Sequence, residues 1–253
     1  MVARELARSR NRAQRLIRAG EVRVEGEIAD KPGTRYPEDA AITVAERPPF
    51  VGRGGEKLEA ALQHFPVDVE GRVAADIGAS TGGFTDCLLQ RGAAKVYAVD
   101  VGYGQLAWKL RQDVRVVVME RTNARYLKSL PEPVDLIVSD VSFISLRLIY
   151  QAAVQWLRPE GDVVSLIKPQ FEAGRAQVGK GGVIRDPAVH RDVLETVTGF
   201  MAEFGLQLQG LMVSPLVGPA GNVEFLGWWQ FGEPLPDRIS WIEDALSEAS
   251  ALR

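Results

Sequence analysis

At 253 residues, with 46% apolar and 25% charged residues, the chain has room for one large domain and a small appendage, and its composition excludes extensive disorder. A net charge of −3 argues against a uniformly basic polyanion binder, yet residues 1–23 carry seven arginines against two glutamates, a local +5 that leaves −8 on the rest. Its longest apolar runs, 136–138 and 163–167, fall far short of the roughly 18 residues of a membrane span; the arginine-studded start has no apolar stretch of a secretory signal, and the lone Cys87 can close no internal disulfide, which predicts a reducing cytoplasm.

Residues 9–19 read as a helix capped by Ser9, with Ala13, Leu16 and Ile17 as its apolar stripe and Gly20 as its stop. Val22 and Val24 alternate with charged residues, Gly26 turns the chain, and an extended pattern resumes at 41–44 before Arg47, Pro48 and Pro49. This predicts a small α+β module over 1–46, a linker over 47–55 and a second domain over 56–253. Arg4, Arg8, Arg10, Arg12, Arg15, Arg18 and Arg23 give the module a polyanion-facing field.

Beyond the linker, strand-like runs at 73–77, 95–99, 114–118, 134–138, 163–167, 207–213 and 225–231 alternate with helical intervals. Such a rhythm specifies an α/β fold whose mainly parallel sheet is covered on both faces and binds ligands at the carboxyl ends of its strands. The first strand runs through Asp76 into Gly78, Ala79, Ser80, Thr81, Gly82, Gly83 and Phe84, followed by a helix, and the second closes on Asp100. Glycines there let a ligand approach the backbone, and Asp100 is placed to accept ribose hydroxyls. The G-x-x-x-G-G spacing differs from the nicotinamide and flavin fingerprint. Asp76 beside it suits the cationic methionine end of S-adenosylmethionine, whereas it would repel a pyrophosphate. A Rossmann-like, S-adenosylmethionine-dependent methyltransferase domain is therefore expected.

Residues 174–181 nearly match a phosphate-binding loop, but Gly181 replaces the Ser or Thr that would hold magnesium. The better reading is a mobile loop presenting Arg175, Lys180 and Arg185 to phosphates. For the acceptor, Cys87 lies in the helix after the cofactor loop, away from any pyrimidine carbon. Asp140 is followed by Val141, Ser142 and Phe143, which lacks the Pro-Pro-aromatic turn used for exocyclic nitrogens. His64 and His190 match no metal or triad spacing, so no metal is expected. Asp140, Lys168 and Glu224 remain at strand ends, a set in which a lysine flanked by carboxylates manages the proton of a hydroxyl.

Three stretches, DIGASTGGFTDCLLQRG over 76–92, DVSFISL over 140–146 and IKPQFE over 167–172, resemble the TlyA family of "hemolysin A" ribosomal RNA ribose 2′-O-methyltransferases. That resemblance implies an FtsJ-like catalytic domain, a cytidine acceptor, and a tetrad of Lys57 (from RGGEKL, 53–58), Asp140, Lys168 and Glu224. In it Lys168 readies the hydroxyl while Asp140 and Glu224 fix its position. The N-terminal segment resembles the small RNA-binding module named after the fourth protein of the small ribosomal subunit, through Ser9, Arg10, Leu16, Ile17 and residues 20–24. Of that module's usual first helix only the end, 4–7, is recognisable, so a truncated module is expected. Implied partners are ribosomal RNA or ribosomal subunits, with no membrane. Two alternatives stay open: a non-catalytic RNA-binding assembly factor, and a membrane-lysing hemolysin, for which no apolar span or basic amphipathic helix of the required length is legible.

Overall fold

Ser9 is extended, and its Oγ accepts the Arg12 N–H, which starts α1 (Arg10–Arg18) where a capping serine should. In this computed structural model residues 1–45, 48–174, 177–233, 235–236 and 238–251 are described, and the chain divides into two units, Met1–Pro48 and Pro49–Arg253. Gly20, at φ 69°, reverses the chain after α1 into β1 (Val22–Val24), which pairs antiparallel with β2 (Glu27–Ile28) and β3 (Ile42–Val44). Alternation puts Val22 and Val24 inward against Ala13 and Leu16, a core of small and branched side chains that also takes in Ala7, Ala29 and Ala40.

The second unit runs α2 (Gly54–His64), β4 (Val73–Ile77), α3 (Gly83–Gln90), β5 (Lys95–Val99), α4 (Trp108–Arg111), β6 (Val116–Met119), β7 (Val134–Ser139) and α5 (Leu146–Ala153). It continues with β8 (Leu157–Ile167), α6 (Pro169–Glu172), α7 (Pro187–Glu203), β9 (Leu206–Val213), β10 (Phe225–Phe231) and α8 (Arg238–Ala251). Seven strands form one sheet in the order β6-β5-β4-β7-β8-β10-β9; β4 to β8 are parallel, and β10 runs antiparallel to both of its neighbours. Each face has its own core. Leu58, Leu62, Cys87 and Leu88 cover one, and Ile149, Tyr150, Leu194 and Met201 the other. Strand order reverses between β4 and β7, so the carboxyl ends of β4, β5 and β7 open onto the crevice where such sheets bind ligands.

Two strands depart from the sequence expectation by more than one residue. The third starts at Val116, not at 114: the Asp113 carboxylate accepts the Arg115 N–H in a turn, and Val114 is 99% exposed. The fifth starts at Leu157, six residues early, because its exposed Arg158, Pro159 and Glu160 break the apolar pattern while the backbone already pairs with β7. Among the described residues no helix is long and apolar enough to cross a membrane.

Candidate active site

The glycine loop after β4 is shaped by crowding. Gly78 has φ 83°, and a Cβ there would stand 2.7 Å from the Asp140 carbonyl oxygen, so the backbones of two strand ends approach more closely than any side chain permits. Gly82, at φ 97°, precedes α3 where a Cβ would strike Leu110 and Leu106. Ser80 also takes a left-handed conformation, held by its N–H donating to Asp100 Oδ2 at 2.8 Å; the other oxygen of Asp100 accepts the Gly102 N–H at 2.6 Å. Both carboxylate oxygens retain a lone pair for a ligand.

These strand ends enclose a cavity of about 480 Å³. Ile77, Val99, Val101, Val141, Ile144 and Ile149 give it apolar walls, while Ser80, Asp100, Asn123 and Asp140 supply polar groups. An apolar slot with carboxylates at its rim fits a cationic nucleoside such as S-adenosylmethionine. Of the residues expected to hold that cofactor, Gly78, Ser80 and Asp100 line the cavity, whereas Ala79, Gly82, Gly83 and Phe84 stand outside its wall. Gly83 meets the backbone of Gly52, Gly54 and Gly55, and Phe84 is buried in the core beneath.

Asp76, expected to meet the methionine end of the cofactor, also lies outside that wall. Its Oδ2 accepts both the N–H and the Oγ–H of Thr85 at 2.9 and 2.6 Å, fastening the first turn of α3 to the end of β4. Its Oδ1 is buried without a hydrogen-bond partner among the described residues. Burial, helped by the charges of Asp140 and Asp100, outweighs the Thr85 donors and pushes this carboxyl up to about 7.

Beside the cavity stand two ion pairs. Lys168, at the end of β8, reaches Asp140 Oδ1 at 2.6 Å and donates to Ser142 Oγ at 2.8 Å. Lys57, on α2, donates to Glu224 Oε2 at 2.5 Å, and both are buried. Glu224 thus pairs with Lys57 and not, as the sequence suggested, with Lys168. The pairs share one edge. β10 and β8 align Phe225 with Ile167, so one step further Glu224 stands opposite Lys168, and a Cβ on Gly54, three residues before Lys57, would lie 3.4 Å from Asp140 Oδ2. Gln170 Nε2 donates to Glu224 Oε1 at 3.4 Å. Ser142 and Gln170 escaped sequence reasoning, although both lie inside the motifs that carried it.

At the mouth Phe143, at φ 64°, is 91% exposed and packs on Phe171 with ring centroids 4.9 Å apart. Arg185 is exposed; Arg175 and the side chain of Lys180 lie outside the described residues. The loop expected to be mobile is tied at its end, because the buried Asn222 accepts the Ile184 N–H and donates to the Gly182 carbonyl. In the N-terminal unit Arg4 donates to the Ala40 carbonyl and Arg23 to that of Gly26, Arg12 is half-buried, and Arg8, Arg10, Arg15 and Arg18 are exposed. Among the described residues no three His, Cys, Asp or Glu side chains are grouped to hold a metal ion.

This sheet order, with a glycine-shaped cavity at the switch point and a Lys-Asp-Lys-Glu edge beside it, defines a Rossmann-like methyltransferase. Residues 50–231 match the FtsJ-like methyltransferase family, and residues 1–42 match the S4 domain. The chain is 48% identical to the 16S/23S rRNA (cytidine-2′-O)-methyltransferase TlyA of Mycobacterium tuberculosis over 98% of this chain and 94% of that protein. It therefore belongs to the TlyA family of FtsJ-like methyltransferases. A solved Streptococcus thermophilus chain named as a hemolysin superposes with a TM-score of 0.78 at 43% identity, covering 99% of this chain and 94% of that one. An S-adenosylmethionine-dependent methyltransferase structure from Listeria monocytogenes, 15% identical, shares the fold at a TM-score of 0.54 over 72% of this chain and 100% of that one.

Proposed function

We propose that this enzyme transfers a methyl group from S-adenosylmethionine to the ribose 2′-hydroxyl of a cytidine in ribosomal RNA, acting in the cytoplasm on that RNA or a ribosomal subunit. The Lys168–Asp140 pair at the cavity wall carries this reading, since a hydroxyl is a poor nucleophile until a neighbouring group manages its proton. S-adenosylmethionine, when bound, supplies a methyl group on a good leaving group. Gly78, Ser80 and Asp100 would hold it, with the free lone pairs of Asp100 on its ribose hydroxyls.

Lys168, fixed by Asp140 and Ser142, makes a charge-assisted hydrogen bond to the acceptor oxygen and lowers its pKa. The shed proton leaves to solvent on the exposed side of the pair. Lys57 and Glu224, buried together, hold the second side of the acceptor subsite. Phe143 offers the base an aromatic face, as proteins that act on an unstacked nucleotide commonly do. We assign docking to residues 1–46, with Arg4, Arg8, Arg10, Arg12, Arg15, Arg18 and Arg23 on phosphates, a joining segment to 47–55 and catalysis to 56–253. Arg175, Lys180 and Arg185 add phosphate contacts beside the acceptor.

Transfer of labelled methyl groups to ribosomal subunits, with products mapped as 2′-O-methyl nucleotides, tests the reaction. Products confined to base atoms would overturn it. Calorimetric titration of S-adenosylmethionine into wild type and Asp100→Ala, both checked for native circular dichroism, tests the cavity. Equal affinities would remove Asp100 from the cofactor site.

A further inference from the structure

Residues 141–145 after β7 and residues 168–172 after β8 are fastened to each other at three points. Lys168 Nζ donates to Ser142 Oγ at 2.8 Å, the rings of Phe143 and Phe171 lie 4.9 Å apart, and the Glu172 carboxylate closes the far end. Glu172 Oε1 accepts the Leu146 N–H at 2.8 Å and Oε2 accepts the Ser145 Oγ–H at 2.7 Å, while Ser145 Oγ accepts the Arg147 N–H. A carboxylate at the first turn of α5 also meets the positive end of that helix.

Between these anchors sits Phe143 at φ 64°, a conformation that an aromatic side chain adopts only where its surroundings enforce it. Ser142 on one side and Ser145 with Leu146 on the other supply that enforcement. Glu172 is half-buried, and desolvation holds its carboxyl above the usual carboxylate range. Keeping a carboxylate there is unfavourable unless its two bonds do something that a neutral side chain would not. Neither oxygen is directed to Lys168, so any effect on the acceptor runs through the loop.

We propose that Glu172 is a positioning residue for methyl transfer: it clasps the two loops into one rigid wall that presents Lys168 and Phe143 to the target nucleotide. This rests on the ribose reading above and names what holds its acceptor side in register. A loosened wall misplaces both the lysine and the ring, whereas Gly78, Ser80 and Asp100, on other strand ends of the cavity, keep their places.

The test compares full-length wild type, Glu172→Gln and Glu172→Ala for single-turnover methylation of ribosomal subunits, KM for the subunit, S-adenosylmethionine affinity and melting temperature. Glutamine keeps one carbonyl acceptor and loses the second. Expected is a graded fall in the single-turnover rate, between roughly tenfold and a hundredfold for Ala and less for Gln, with cofactor affinity falling by much less than the rate. Should the Ala variant fail to fold, Gln carries the test on the same readouts. Variants that melt earlier yet turn over at the wild-type rate when folded would overturn the clasp and leave Glu172 a stabilising residue only. Wild type that places no methyl group on ribose overturns the ribose reading and the clasp with it, whereas active wild type with equally active variants overturns the clasp alone.

Discussion

The two units treat most of their arginines in opposite ways. In the second unit Arg72, Arg91, Arg111, Arg115, Arg147, Arg158 and Arg191 each stand against a carboxylate, and Arg121 lies 4.2 Å over the Tyr103 ring. In the first unit Arg8, Arg10, Arg15 and Arg18 are exposed and form no ion pair with a described residue. Cations already neutralised by protein acids gain little from a phosphate, while free ones release counterions on meeting it. The contrast supports the proposed division, in which the N-terminal unit supplies most of the affinity and the paired lysines of the second serve the chemistry.

Lys168→Ala attacks the second half of that division and should show the largest effect. Proton management typically contributes on the order of a hundredfold or more, so turnover falls by at least that, while S-adenosylmethionine and RNA affinities hold within a few-fold. A variant methylating near the wild-type rate would break the tetrad assignment. The opposite signature is expected from Arg10, Arg15 and Arg18 changed together to Ser. RNA affinity should drop at low salt and the slope of log K against log salt should shrink by about one for each phosphate left without its arginine, with turnover at saturating RNA preserved. An unchanged slope would end the proposal that this unit supplies the docking charge.

How legible this was depended on range. Alternation and turns carried β4, β5 and β10 to the residue, because local sequence decides them. Lys57 was invisible without the resemblance, since a lysine on a helix ordinarily points to water. What buries it is Glu224, 167 positions away. For Asp76, read from its neighbourhood in sequence as a ligand for the cofactor, the sequence could not show that the turn into α3 brings Thr85 onto one oxygen of its carboxylate. The cavity wall is mostly Val and Ile, which no pattern separates from ordinary core.

Against the paired arginines, Asp76 is a buried carboxyl with no cation partner among the described residues, and it predicts a pH effect of intermediate size. Its folded pKa, about 7, lies above the ordinary 3.8, so the native state binds the proton more tightly than the unfolded chain. The stability this gives is complete below about pH 4 and is lost as pH rises to about 7, at about 1.4 kcal/mol per unit, then levels off. Asp76→Asn keeps an acceptor for both Thr85 donors and removes the titration. Melting temperatures measured from pH 5 to pH 8 should therefore show wild type falling relative to the Asn variant up to about pH 7 and parallel above it. A constant gap across that range would mean that the carboxyl titrates in the ordinary carboxylate range.

The smallest effect is expected at a cation of the second unit that is already paired. Arg191 on α7 places two guanidinium nitrogens on the Glu243 carboxylate of α8, at 2.5 and 2.7 Å, and also approaches Glu195. Glu243 holds the arginine's pKa above its ordinary value and is itself held below its own, yet both side chains stand in water. Solvent screening and the entropy of fixing two long side chains cancel most of what such a pair gains. A phosphate would have to displace Glu243 before reaching Arg191, so this arginine adds nothing to RNA binding despite its formal charge. Arg191→Ala should leave the melting temperature, the RNA affinity and the salt slope at wild-type values, measured beside the N-terminal triple variant under the same conditions. A fall in the slope would show that paired cations of the second unit also reach RNA, and the opposition between the two units would then be one of degree.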